Sequence, residues 1–164
     1  MRSVPQFVFT FGRQGLRLVR HRVVTVASFG LRDWQVFVEA LATLLIVKVA
    51  LHTMDFRRLM AWSRRVRGGT SIDLSRENVQ RIAWLVQGAS RLTCVRCLPR
   101  SLALTRVLAR RGVATTMRIG VQTVDGELLA HAWVEWRGRA LNDDERSLQE
   151  FAAFDNLRGD ISSV

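Results

Sequence analysis

An α+β fold is predicted by one change of rhythm along the chain. From Trp34 to Arg111 the apolar residues recur at helical spacing; from Thr115 they alternate with a period of two, and Asp125-Gly126 supplies a hairpin turn between two such runs. Helices followed by an antiparallel meander imply helices packed on a small sheet. The 164 residues are 48% hydrophobic with only 2 prolines, enough for one folded domain and an appendage, which excludes a disordered or collagen-like chain.

The first element is a basic arm over residues 1–32. It has no acidic residue before Asp33, and Arg2, Arg13, Arg17, Arg20, Arg22 and Arg32 are spread among Phe, Val and Leu. Such a pattern suits a membrane-surface or partner-binding arm, and equally an unstructured extension, but it lacks the apolar run and cleavage site of a secretory signal. A helical region follows over residues 33–70. Its most apolar stretch, Trp34 to Met54, has Glu39 and Lys48 bracketing an uninterrupted core of eight residues. That falls short of the roughly 20 needed to span a bilayer, so a buried or interfacial helix is expected. Phe56 to Val66 continues the helical pattern until Gly68-Gly69 breaks it.

Over residues 71–164 the elements are better marked. Ser75 is an N-cap and Glu77 lies in the first turn of a helix to about Ala89, whose apolar face is Val79, Ile82, Ala83 and Val86. A second helix is predicted from Cys97 to Arg111, with Pro99 in its first turn and Gly112 as its stop. Met117, Ile119 and Val121 then alternate with polar residues or Gly120 in one strand. Leu128 to Trp136 forms the next, Arg137-Gly138 turns the chain, and Arg139 to Asn142 begins a third.

Charge and cysteine content narrow the function classes. The net charge is +11, and 24 arginines accompany a single lysine, Lys48. An acidic partner is therefore favoured, but the arginines are dispersed and no nucleic-acid-binding motif accompanies them, so nucleic acid is not expected. Cys94 and Cys97 lie too close together to staple a loop, which leaves free thiols and a reducing, cytoplasmic setting. They form a CxxC, but with no second pair and no paired His neither a structural zinc site nor a redox motif is expected.

Cys97 falls at a helix start, where the macrodipole and unpaired N–H groups stabilise the thiolate, and Arg96 and Arg100 act in the same sense. His131 falls inside a predicted strand, where an imidazole needs a reason to be. A helix-borne thiol and a strand-borne imidazole are the pair in which His serves as base to the thiol and acid to a leaving amine. Asn142, Asp143 and Asp144 are candidates to orient that imidazole. A two-residue turn at Arg137-Gly138 places Asp144 opposite His131, and a three-residue turn including Trp136 places Asp143 there. Spacing alone leaves the two aspartates level.

The segment Cys97-Leu98-Pro99-Arg100-Ser101-Leu102-Ala103-Leu104, the Arg110-Arg111-Gly112 helix end, Ile119-Gly120-Val121, His131-Ala132-Trp133-Val134-Glu135 and Leu141-Asn142-Asp143 together resemble the peptidase half of the lasso peptide biosynthesis B protein family, within the transglutaminase-like cysteine peptidases. The resemblance is close from about Ser71 to Asp144. It implies a transglutaminase-like, papain-like core over residues 71–164 that needs no cofactor. By its motifs Cys97 is the nucleophile, His131 the base and Asp143 the third member, which favours the three-residue turn, and Cys94 is structural. The implied activity is bacterial, cytoplasmic removal of the leader peptide from a ribosomally made precursor. A separate leader-recognition protein delivers the precursor, and a lasso cyclase acts on the product. Trp133, Trp136 and exposed arginines are candidates for the docking surface, although a Trp on a strand is more often core. Two rivals accompany this reading: an acyltransferase that uses an amine in place of water, and a basic non-enzymatic binding module. Peripheral membrane contact through residues up to about 66 is compatible with catalysis.

Overall fold

The computed structural model describes residues 30–65, 74–124 and 126–153. The basic arm before Gly30, the Gly68-Gly69 break, Asp125 and the chain after Ala153 lie outside the described residues. Among the described residues five helices and four strands follow in the order α1 (Leu31–Thr53), α2 (Phe56–Arg64), α3 (Arg76–Leu92), α4 (Cys97–Ala109), β1 (Thr116–Val124), β2 (Glu127–Trp136), β3 (Arg139–Ala140), α5 (Glu145–Leu148) and β4 (Ala152–Ala153). The strands form one antiparallel sheet in the order β3-β2-β1-β4. The mixture is α+β, with the period change at Thr115 marking the passage from helices to sheet.

The expectation that the N-terminal helices pack on the sheet needs correction in one respect. α4 is the helix laid against β1 and β2, and α1, α2 and α3 pack chiefly around α4. The composition of α4 explains this: Ser101, Leu102, Ala103, Leu104 and Thr105 are all buried in one uninterrupted run, so the helix is enclosed on every side and not on one face only. Ala40, Leu44, Val47, Leu59, Val79, Val86, Leu104, Val107, Met117 and Val134 form one core drawn from α1 through β2. Such enclosed aliphatic side chains contribute about 1.5–3 kcal/mol each relative to exposure.

Local chemistry sets the element ends. Asp55 caps α2, its carboxylate accepting from the Arg57 N–H at 2.7 Å, and Ser75 caps α3 through the Asn78 N–H at 3.4 Å. At the other end of α2, Arg106 of α4 donates to the carbonyls of Trp62 and Arg65, at 3.2 and 2.9 Å, sharing the Trp62 oxygen with the Arg65 N–H that closes the helix. α4 stops as anticipated: Gly112 takes a φ of +76°, and the Val113 N–H returns to the Leu108 carbonyl.

α1 is longer than its uninterrupted apolar core implied. It runs 23 residues, about 35 Å at 1.5 Å per residue, because Glu39 and Lys48 are good helix formers that interrupt the hydropathy and not the helix. An 18-residue window of it has a mean hydropathy of 1.8, so by length and composition it could cross a membrane, although only 28% of that window is buried against the protein.

Candidate active site

The site is built where the outer edge of β2 runs past its short neighbour. The backbone groups of Ala132 and Val134 point toward β3, but β3 ends at Ala140, so its ladder cannot satisfy them all. The Val134 carbonyl accepts from the Leu141 N–H at 2.9 Å. The Val134 N–H donates to Asn142 Oδ1 at 2.8 Å, Asn142 Nδ2 donates to Ser101 Oγ at 3.3 Å, and Ser101 Oγ donates to the Ala132 carbonyl at 2.9 Å. Asn142 and Ser101 are both buried. This relay ties the loop after β3, the strand bearing His131 and the helix bearing Cys97 into one rigid unit.

The relay also corrects the expected turn. Trp136 pairs with Arg139, so Arg137-Gly138 is a two-residue turn, and φ values of +50° and +76° give it the form that matches strand twist. Continued as a regular ladder, that register would bring Asp144 opposite His131. It does not continue. The Val134 N–H, which a regular pair would give to the carbonyl of Leu141, goes to the Asn142 side chain, and the chain bends at residues 141–143. That bend brings in Asp143, with Oδ2 at 3.3 Å from His131 Nε2. Asp144 is exposed at the N-cap position of α5. Of the three sequence candidates, then, Asp143 meets the imidazole, Asn142 braces the loop and Asp144 starts a helix.

Asn142→Ala should lower unfolding stability by about 2 kcal/mol, since it strands a buried N–H and removes the link to Ser101. Urea denaturation measures this, and an unchanged midpoint would contradict the bracing role.

Cys97 is the first residue of α4, where Pro99 in the first turn lacks an N–H that has no helical acceptor anyway. Burial pushes its thiol up, but hydrogen bonding to His131, the backbone of Ala132, the nearby imidazolium charge and the Leu98 backbone together hold it below its ordinary value of 9.0. His131 is the complement. Its hydrogen bond with Asp143, then that with Cys97, outweigh burial and raise its pKa from 6.5 to about 9. With Nε2 on Asp143, Nδ1 is the nitrogen left for the thiol. The lowered thiol and the raised imidazole both shift the pair toward a thiolate beside an imidazolium.

Arg100, one turn along α4, extends the array. Its Nη2 lies 3.4 Å from each carboxylate oxygen of Asp143, so the charge expected to act on the thiol is turned onto the aspartate instead. Arg100 was legible only as a helix-start cation; its ion pair needed the fold. An aromatic wall backs the imidazole. Trp133 stacks with His131 at a centroid distance of 6.3 Å and an interplanar angle of 16°, and the Phe151 ring, from the segment between α5 and β4, lies 5.3 Å from the imidazole. Gly120 pairs with His131 and leaves the room this wall requires, because a Cβ there would meet Trp133 and Phe151 at 3.0 Å.

Placement bears on two further expectations. Trp133 is 4% exposed, with its Nε1 donating to Glu135, so it serves as core and not as docking surface; Trp136 is half-buried against the core with the Arg137 guanidinium over its ring. Cys94 is exposed in a left-handed turn at a φ of +49°, where it reverses the chain between α3 and α4. Among the described residues no group of three or more His, Cys, Asp or Glu could hold a metal ion.

No curated protein and no solved structure matches the chain. Residues 41–154, however, match the transglutaminase-like superfamily, a span that starts within α1 and takes in Cys97, His131, Asp143 and the bracing relay. The chain belongs to the transglutaminase-like superfamily.

Proposed function

We propose that the protein is a cysteine peptidase that removes the leader from a ribosomally made lasso peptide precursor, working with a separate leader-recognition protein ahead of a lasso cyclase. The observation that carries the catalytic part of this reading is the convergence of Cys97, His131 and Asp143 at the edge of β2. The superfamily includes cysteine peptidases and acyltransferases, and the lasso assignment rests on the motif resemblance around these residues. The papain-like division of labour follows: a helix supplies the thiol, and a strand supplies the imidazole.

In this mechanism the Cys97 thiolate attacks the last carbonyl of the leader, and N–H groups at the start of α4 stabilise the oxyanion. His131 gives its proton to the departing amine, which frees the core peptide and leaves the leader as a thioester on Cys97. The neutral imidazole then takes a proton from water, hydroxide adds to the thioester, and thiolate and imidazolium are restored. Asp143 holds the ring and favours its charged form.

The active ion pair exists above the lowered thiol pKa and below the raised imidazole pKa. Activity against pH should therefore be bell-shaped, its alkaline limb falling through about 9. The same raised imidazole pKa contributes stability that is fully present below pH 6.5 and lost as pH climbs through about 9. A profile of kcat/KM checks the first point; an alkaline limb near 6.5 would contradict the charged-imidazole account.

Product mass separates hydrolysis from acyl transfer. With precursor and recognition partner present, hydrolysis gives leader and core whose summed mass is the precursor plus one water. An added primary amine retained on the leader as the main product would assign the protein to the acyltransferases.

A further inference from the structure

α1 carries a face that the peptidase chemistry does not use. Val38, Leu45, Ile46 and Val49 are 57%, 54%, 54% and 63% exposed. At 100° per residue they occupy an arc of about 100° on one side of the helix, with exposed Ala42 inside the same arc. The opposite side holds Ala40, Leu44 and Val47, each 0% exposed in the core. An apolar stripe of this kind on a soluble domain marks an interaction site.

Charge identifies what the stripe meets. α1 has two acidic residues, and both are neutralised by arginines from elsewhere in the fold. Arg81 holds Asp33 at 2.6 Å, while Arg110 and Arg111 hold Glu39 at 3.0 and 2.6 Å. The cations of the helix, Arg32 and Lys48, stand exposed beside the stripe. In sequence, residues 1–29 lead directly into α1 with Arg2, Arg13, Arg17, Arg20 and Arg22 and no acid. Apolar side chains flanked by cations, continuous with a basic segment, match an anionic lipid surface, where acyl chains take the apolar side chains and headgroup phosphates take the cations.

We propose that α1 docks the protein on an anionic phospholipid bilayer, lying in the interfacial plane with Val38, Leu45, Ile46 and Val49 immersed. It lies on the membrane and does not cross it: crossing would withdraw Ala40, Leu44 and Val47 from the core and break the Glu39 ion pairs. This inference does not depend on the peptidase reading. Docked this way, the protein is confined to the surface of an anionic bilayer.

The test is co-sedimentation of the full chain with vesicles of mixed phosphatidylglycerol and phosphatidylcholine, and with vesicles of phosphatidylcholine alone. The expected result is pelleting with the anionic vesicles that weakens in high salt, and little with the neutral ones. The triple variant Leu45→Gln, Ile46→Gln, Val49→Gln should lower the partition coefficient on the order of a hundredfold, while the thermal unfolding of the lipid-free protein is unchanged. If that variant misfolds, Val49→Glu alone should still lower partitioning about tenfold. Absence of pelleting with anionic vesicles would overturn the proposal, as would pelleting retained by a folded triple variant. Self-association of the lipid-free protein that the triple variant abolishes would also overturn it, giving the face to a second copy of the chain.

Discussion

Replacing Cys97 by alanine should lower precursor cleavage by at least about 10⁴-fold, because the step that breaks the peptide bond has no other nucleophile to use. Cys94→Ala should leave the rate within about twofold. Cys94 is exposed at the chain reversal before α4, whereas Cys97 is hydrogen-bonded to His131 and to backbone at the helix start. The same difference should appear without any substrate. Iodoacetamide near neutral pH should alkylate Cys97 well ahead of Cys94 even though Cys94 is the more exposed, since the thiolate and not the thiol reacts. Peptide mapping after brief alkylation reads this directly, and preferential labelling of Cys94 would contradict the thiolate assignment.

Asp143→Ala should lower kcat/KM by about 10³-fold with little effect on substrate binding, while Asp144→Ala stays within about twofold. The carboxylate at 3.3 Å from Nε2 is the largest influence raising the His131 pKa, so its removal leaves an imidazole that is neutral at lower pH and free to rotate. The alkaline limb of the activity profile should move down from about 9 toward the ordinary 6.5 of histidine. A merely structural aspartate would lower the rate without moving that limb. Removing it also strips Arg100 of its ion-pair partner, so the stability of the variant must be measured alongside.

The period change at Thr115, the caps at Ser75 and Gly112, the hairpin position of β1 and β2, and Cys97 at a helix start were all legible in the residues, since each is a local signal read within a few positions. The route by which Asp143 reaches His131 was not. Counting turn residues assumes a ladder that continues, and here a side chain, Asn142, takes the place of a backbone carbonyl and ends it. Such an exchange depends on burial against Ser101, a residue 41 positions earlier. β4 and α5 escaped notice because two and four residues carry no periodicity, so Phe151 entered the site unannounced. The enclosure of α4 and the exposure of the α1 stripe are likewise tertiary facts: both helices are apolar, and only packing decides which one is covered.

The most direct test of the central claim is mass spectrometry of a candidate precursor incubated with its recognition partner and either the wild-type protein, Cys94→Ala or Cys97→Ala. Wild type and Cys94→Ala should cut at one bond, the leader–core junction, and Cys97→Ala should not cut at all. Equal scission by Cys97→Ala, or none by wild type with a verified precursor and partner, would contradict that claim.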